Sequence, residues 1–146
     1  MYKKVIVGII AGLILIYGIY ALINFTKETE THGMSLAVLS YEEAPERVQE
    51  GIDEFLALRE QQQDSEATGL SMNWGNEEYY EVIIPSQGEQ VEILKMGDDE
   101  AKGRGKAVVY TLMEKEDEGD NGVEDIVIIE VKNYAPGHFS VIYRGN

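Results

Sequence analysis

The residues densest in chemistry lie between Glu114 and Asp125, EKEDEGDNGVED, seven carboxylates in twelve positions with two glycines able to turn the chain. A hard cation such as calcium takes six to eight oxygens, so Glu116, Glu118 and Asp120 are the candidate metal ligands. Sliding an EF-hand template over these three puts Asn121 where the sixth-position glycine belongs, and the match fails. A solvated tip between two patterned strands explains the run equally well. Gly97-Asp98-Asp99-Glu100 is a smaller acidic turn, read the same way.

Just beyond that turn, Lys102, Arg104 and Lys106 alternate with Gly103 and Gly105. Backbone N–H groups freed by glycine, set among cations, can surround an anion. The pattern lacks the remainder of a phosphate loop and has no helix after it, so pairing with neighbouring carboxylates is the alternative. A third candidate is aromatic: Trp74, Tyr79 and Tyr80, interleaved with Asn73, Asn76, Glu77 and Glu78, could present a surface to a peptide or a glycan. A strand points alternate side chains to opposite faces, so one of Tyr79 and Tyr80 is expected in the core. His32 and His138 are the only histidines, and neither builds a triad or a metal spacing with its neighbours. Carboxylate pairs for acid-base work exist by number, but without an apolar pocket to raise one pKa they are solvated charges. No catalytic residue is assigned. A desolvated carboxylate beside Trp74 would favour an enzyme; an exposed aromatic patch would favour a binder.

These groups are carried by a strongly acidic chain. Of its 146 residues, 27 are acidic and 12 basic, for a formal charge of -15, and every acidic residue lies after Lys27. Such a surface repels phosphate backbones and anionic headgroups, which excludes nucleic acid and disfavours peripheral membrane binding, while leaving a basic protein or a cation as partner. With no cysteine, there is no disulfide framework, thiolate nucleophile or lipidated N-terminal cysteine.

Residues 5–26 are uncharged and dominated by Ile, Leu, Val, Gly and Tyr. As a helix they would span roughly 33 Å, the hydrocarbon thickness of a bilayer, and they show no polar stripe of the kind a surface helix needs. A membrane anchor is the reading. The rival is a cleaved signal peptide followed by secretion, but the run is longer than an h-region and lacks small residues at both cleavage positions. Lys3, Lys4 and the α-amino group against Lys27 keep the N-terminus in the cytoplasm and the domain outside the cell membrane. Gly8 and Gly12 form a small-xxx-small pair through which two such helices could associate as a homodimer.

Residues 27–34 read as a stalk and 35–146 as one domain. Residues 45–62 predict an amphipathic helix, with Pro45 in the first turn and Val48, Ile52, Phe55 and Leu56 on one face, although Gly51 costs it roughly 1 kcal/mol relative to Ala. Runs at 35–41, 79–84, 91–96, 106–113, 125–134 and 139–144 predict strands separated by turn chemistry, with 63–75 a loop that has room for one short strand, 71–74. Short connections favour antiparallel neighbours. The expected fold is an N-terminal transmembrane helix followed by a small α+β domain, one helix on an antiparallel sheet of about five or six strands. The expected role is a membrane-anchored interaction or sensing module of a cell envelope; an envelope enzyme or enzyme inhibitor is the alternative.

Overall fold

The computed structural model describes residues 13–17, 19, 33–63, 66–74, 78–101, 103–117 and 119–145. It is a small α+β fold with two sheets and one main helix. The helix α1 (Glu46–Gln62) starts at Pro45, whose fixed φ suits a helix entrance. It ends at Gln63, which takes a left-handed conformation and returns its N–H to the carbonyls of Arg59 and Glu60. Val48 and Ile52 are fully buried, and Phe55 and Leu56 pack beside them.

Seven strands follow the expected runs: β1 (Ser35–Leu39), β2 (Thr68–Asn73), β3 (Tyr79–Ile84), β4 (Glu89–Asp98), β5 (Lys106–Glu114), β6 (Val127–Lys132) and β7 (Phe139–Tyr143). They do not form one meandering sheet. Strands β1, β6, β3 and β2 make a four-stranded antiparallel sheet in that order, and β4, β5 and β7 make a second sheet in which β5 and β7 run parallel. The expectation of a single antiparallel sheet fails because two short connections, 85–88 and 133–138, step from one sheet to the other instead of closing hairpins.

The result is three layers. One apolar cluster joins α1 to the outer face of the four-stranded sheet through Val48, Ile52, Tyr80, Val82, Ile84 and Ile128. A second joins the two sheets through Ile83, Ile129, Val131, Val108 and Met34. Adjacent residues of β3 and β6 therefore go to different cores, and the near-continuous apolar runs YYEVII and VIIEVK are what a sheet covered on both faces requires. At β2, Gly51 of the helix comes so close that a methyl group there would meet the terminal methyl of Met72 at 2.8 Å.

The strands also define two ends of the domain. At the entry end the chain arrives at Gly33, whose carbonyl accepts a bond from Asn133 Nδ2, and Met34 is buried. Asn73, Tyr79, Asp98, Lys106, Lys132 and Phe139 lie at this end. Leu39, Thr68, Ile84, Glu89, Glu114 and Val127 lie at the far end. With ten residues in β4, the two ends stand roughly 30 Å apart.

Among the described residues no helix is long and apolar enough to cross a membrane. Of the 5–26 run only 13–17 and 19 are described; they are helical, with Leu13, Ile14, Leu15, Ile16, Tyr17 and Ile19 exposed. Gly8 and Gly12 lie outside the described residues. The structure therefore establishes the domain and not the anchor.

Candidate functional site

A cavity of about 620 Å³ forms a half-open cleft at the far end. The last turns of α1, the 85–88 turn and the acidic connection between β5 and β6 build it. Each wall is held by specific polar contacts. Arg59 donates from both terminal nitrogens to the carbonyl of Pro85, each at 3.2 Å, which satisfies that carbonyl where β3 stops pairing. Asn121 donates from Nδ2 to the carbonyls of Ser86 and Glu89, and its Oδ1 accepts from the N–H of Gly88. Gln87 donates to Asp120 at 2.9 Å.

Behind the acidic run, Lys115 and Asp125 form an ion pair at 2.7 Å with both side chains largely covered. Asp125 also accepts the N–H of Gly122, which closes a single turn of 3-10 helix at Val123–Asp125. The bond to Asp125, helped by the surrounding carboxylates, pushes the Lys115 ammonium above its ordinary value.

The floor is apolar: Ile84, Pro85 and Ile126 are buried, Leu56 is half-buried, and Val123 is 37% exposed. Glu60 and Asp120 stand exposed on the rim. A recess with an apolar floor, polar walls that include Arg59, Gln63, Gln87 and Asn121, and a carboxylate edge is suited to seating an apolar side chain that has a cation beside it. Apart from Asp120, none of the residues lining this cleft stands out in the sequence as a candidate. The cleft's one visible signal was Asn121-Gly122-Val123, an amide, a glycine and an apolar residue interrupting a run of carboxylates.

Of the candidate residues read from sequence, Asp120 alone lines the cleft; the others lie elsewhere. Glu116 and Asp120 are exposed, Asp120 is engaged by Gln87, and Glu118 lies outside the described residues. Among the described residues no group of three His, Asp or Glu side chains is set to hold a metal.

Of the basic set, Lys106 pairs with Asp98 at 2.7 Å, Arg104 is exposed, and Lys102 lies outside the described residues. Their loop folds around Asp99, a buried carboxylate that accepts from Ala101 N–H and from Ser140 Oγ. Gly105 is there for space, because a methyl group would meet the carbonyl oxygen of His138 at 2.9 Å. That same carbonyl accepts the N–H of Lys106, and the His138 ring bonds the carbonyl of Arg104. A smaller cavity of about 400 Å³ lies here, lined by Met34, three carboxylates, Arg104 and Lys106, a mixture that does not single out an anion.

The aromatic set is divided by β3. Trp74 packs against Tyr80 at 5.9 Å on the helix side, whereas Tyr79 stacks on Tyr134 at 4.2 Å and meets Phe139 between the sheets. Trp74 is 38% exposed and Tyr80 is buried, so the three do not form one open surface. Between the sheets Glu81 is buried and accepts from the hydroxyls of Ser71 (2.7 Å) and Tyr79 (2.8 Å). Burial, reinforced by that carboxylate, pushes the Tyr79 phenol up to about 12. Glu81 follows Tyr80 and points to the opposite face of β3, so the desolvated carboxylate and Trp74 do not share a pocket.

Compared with protein-family models, curated proteins and solved structures, the chain matches none of them.

Proposed function

We propose that the chain is a single-pass, membrane-anchored module of a cell envelope whose extracytoplasmic domain binds a protein partner through the far-end cleft. The partner contributes a segment in which an apolar side chain sits next to a lysine or arginine. The observation that carries this reading is the position of the cleft: a recess of about 620 Å³, apolar below and carboxylate-rimmed by Glu60 and Asp120, lies at the end of the strands opposite the point where the chain arrives from residues 5–26. A basic segment is drawn to a domain this acidic at long range, and the apolar floor then supplies the short-range contact. The uncharged 5–26 run, with the side chains of Leu13 to Tyr17 exposed on a helix, supports the anchor.

Two experiments test the two halves. Protease shaving of intact cells carrying a C-terminally tagged chain is expected to remove the tag from a membrane-bound form. A protected tag reverses the topology, and a shortened product in the medium shows a cleaved signal peptide. For the cleft, selection from a display library of random peptides is expected to enrich sequences pairing Lys or Arg with Leu, Ile or Phe. Their binding should weaken on Val123→Ser, on Glu60→Lys, and as salt rises past the roughly 10 Å screening regime of 0.1 M. Peptides without that pairing, or binding unmoved by both variants, sink the assignment of the cleft.

A further inference from the structure

A carboxylate withdrawn from water is normally held by a cation or by hydrogen bonds to both of its oxygens. Among the described residues Asp99 and Glu81 are the buried carboxylates, and they are held differently. Asp99 is satisfied on both sides: Oδ1 accepts the N–H of Ala101 and Oδ2 the hydroxyl of Ser140. Glu81 is not. The hydroxyls of Ser71 (2.7 Å) and Tyr79 (2.8 Å) both donate to Oε2; among the described residues nothing donates to Oε1 and no cation pairs with the group. Oε1 lies beside Gly69, where a Cβ would come within 3.3 Å of it. Gly69 and Ser71 are exposed, no side chain of β2 enters the cluster between the sheets, and β2 is the last strand of its sheet. The unoccupied oxygen therefore sits one strand in from an open edge, behind a residue with no side chain to cover it.

We infer that β2 receives an extended basic segment of a partner protein as an added strand, and that a lysine or arginine opposite Gly69 reaches past it to donate to Glu81 Oε1. The distances fit. Facing residues on neighbouring strands hold their Cβ atoms about 5 Å apart, and Oε1 lies 3.3 Å beyond the place of the missing Cβ, a gap that a lysine or arginine stem spans. The new bond supplies the buried carboxylate with the cation it lacks, while backbone bonds along β2 supply affinity that is independent of sequence. A formal charge of -15 draws such a segment in. A second copy of this chain is a poorer occupant, because β2, TGLSMN, carries no basic residue and would bring one Glu81 toward another. The other outer strands, β1, β4 and β7, have no buried carboxylate with an unoccupied oxygen beside them among the described residues. The inference depends neither on the far-end cleft nor on the anchor.

Two short labelled peptides are the probes, one alternating threonine with lysine and the other threonine with glutamine, titrated with the full-length chain in detergent and followed by fluorescence anisotropy. The lysine peptide is expected to bind more tightly, and to slow backbone hydrogen exchange at 68–73. Glu81→Gln keeps an acceptor for Ser71 and Tyr79 but removes the charge; it should weaken the lysine peptide about tenfold, the value of one charge-assisted bond, and leave the glutamine peptide unchanged. Gly69→Val, at an exposed position, covers Oε1 and should weaken the lysine peptide with Glu81 still in place, so the test stands even where Glu81→Gln fails to fold. Glu78→Gln removes the same charge from an exposed position just before β3 and should change little. If Glu78→Gln weakens binding as much as Glu81→Gln, the attraction is only the general charge of the domain and the inference is overturned. Slowed exchange at β1, β4 or β7 instead of β2, or a lysine peptide that does not bind, overturns it as well.

Discussion

The two sheets are built from similar strands yet have opposite surroundings. In the four-stranded sheet, Ile128 and Ile129 are neighbours on β6 and both are fully buried, one under α1 and the other against the second sheet. In the three-stranded sheet, Val141 and Ile142 are neighbours on β7, but only Val141 joins a core; Ile142 is 43% exposed. A β-branched pair reads identically in both strands. What differs is the number of layers packed on the sheet, and this decides how much each side chain contributes.

Truncation makes that difference measurable and gives the largest expected effect. Ile128→Ala and Ile129→Ala should each cost about 2 to 5 kcal/mol in chemical denaturation, since both leave cavities. Val141→Ala should cost less and Ile142→Ala about half a kcal/mol or less, as at other exposed sites. If Ile142 proves as costly as Ile129, the outer face of the three-stranded sheet is covered in solution.

Next in size are the polar groups that tie the two sheets together at their ends. Asn121→Ala removes three hydrogen bonds between the acidic connection and the 86–89 turn, and is expected to cost about 3 kcal/mol. Gly105→Ala at the other end forces a methyl group onto the His138 carbonyl and should cost about 2 kcal/mol. Both are read as shifts in denaturation midpoint. Loss of peptide binding is expected only for Asn121→Ala, because only that residue shapes the cleft.

A smaller effect is the response to alkali. Tyr79, between the sheets, holds its proton up to about 12 when folded and to about 10 when unfolded, so the folded state binds more protons in that window. Its contribution is fully present below pH 10 and is lost as pH rises toward 12. Lys115, whose value is also raised, acts in the same direction. The denaturation midpoint should therefore fall between about pH 10 and pH 12, and Tyr79→Phe should flatten the fall.

The smallest effect concerns α1. Gly51→Ala gains helix propensity of up to about 1 kcal/mol, and the flexible end of Met72 can swing aside, so a net gain of a few tenths of a kcal/mol is expected. A loss of more than about 1 kcal/mol would show that Met72 is locked in place.

Local structure was legible from the chain because it depends on local chemistry. The helix predicted over 45–62 is observed as Glu46–Gln62, since Pro45 and the spacing of Val48, Ile52, Phe55 and Leu56 act within a few turns. The strands differ from their predicted runs mainly at the ends. Strand β2 was only partly visible, because Gly69 and Ser71 on its solvent side dilute the alternation of Leu70 and Met72. Partner choice was not legible. The turn chemistry at 85–88 and 133–138 specifies a reversal but not which sheet receives the next strand, and so the division into two sheets and the parallel β5–β7 pair were missed. A clue lay in β3, whose unbroken apolar run argues for cover on both faces. The cleft was hidden for a related reason. It is assembled from Arg59, Pro85 and Asn121, which are far apart in sequence, and none of the three is unusual where it stands.

The pairing of β1 bears on how the domain is made. Its sheet partner is β6, with Leu36 opposite Val131, so the first strand to emerge waits for nearly the last. Closing so long a loop is slow, because its entropy must be lost before any contact between the two strands forms. Until residues up to 132 are available, β6 is missing from the centre of the four-stranded sheet, and β1 and β3 each expose an edge able to pair with another chain. The nascent domain is therefore most vulnerable to aggregation late in synthesis, and a holding chaperone or a slow supply of chain should raise its yield more than any stabilising substitution in α1.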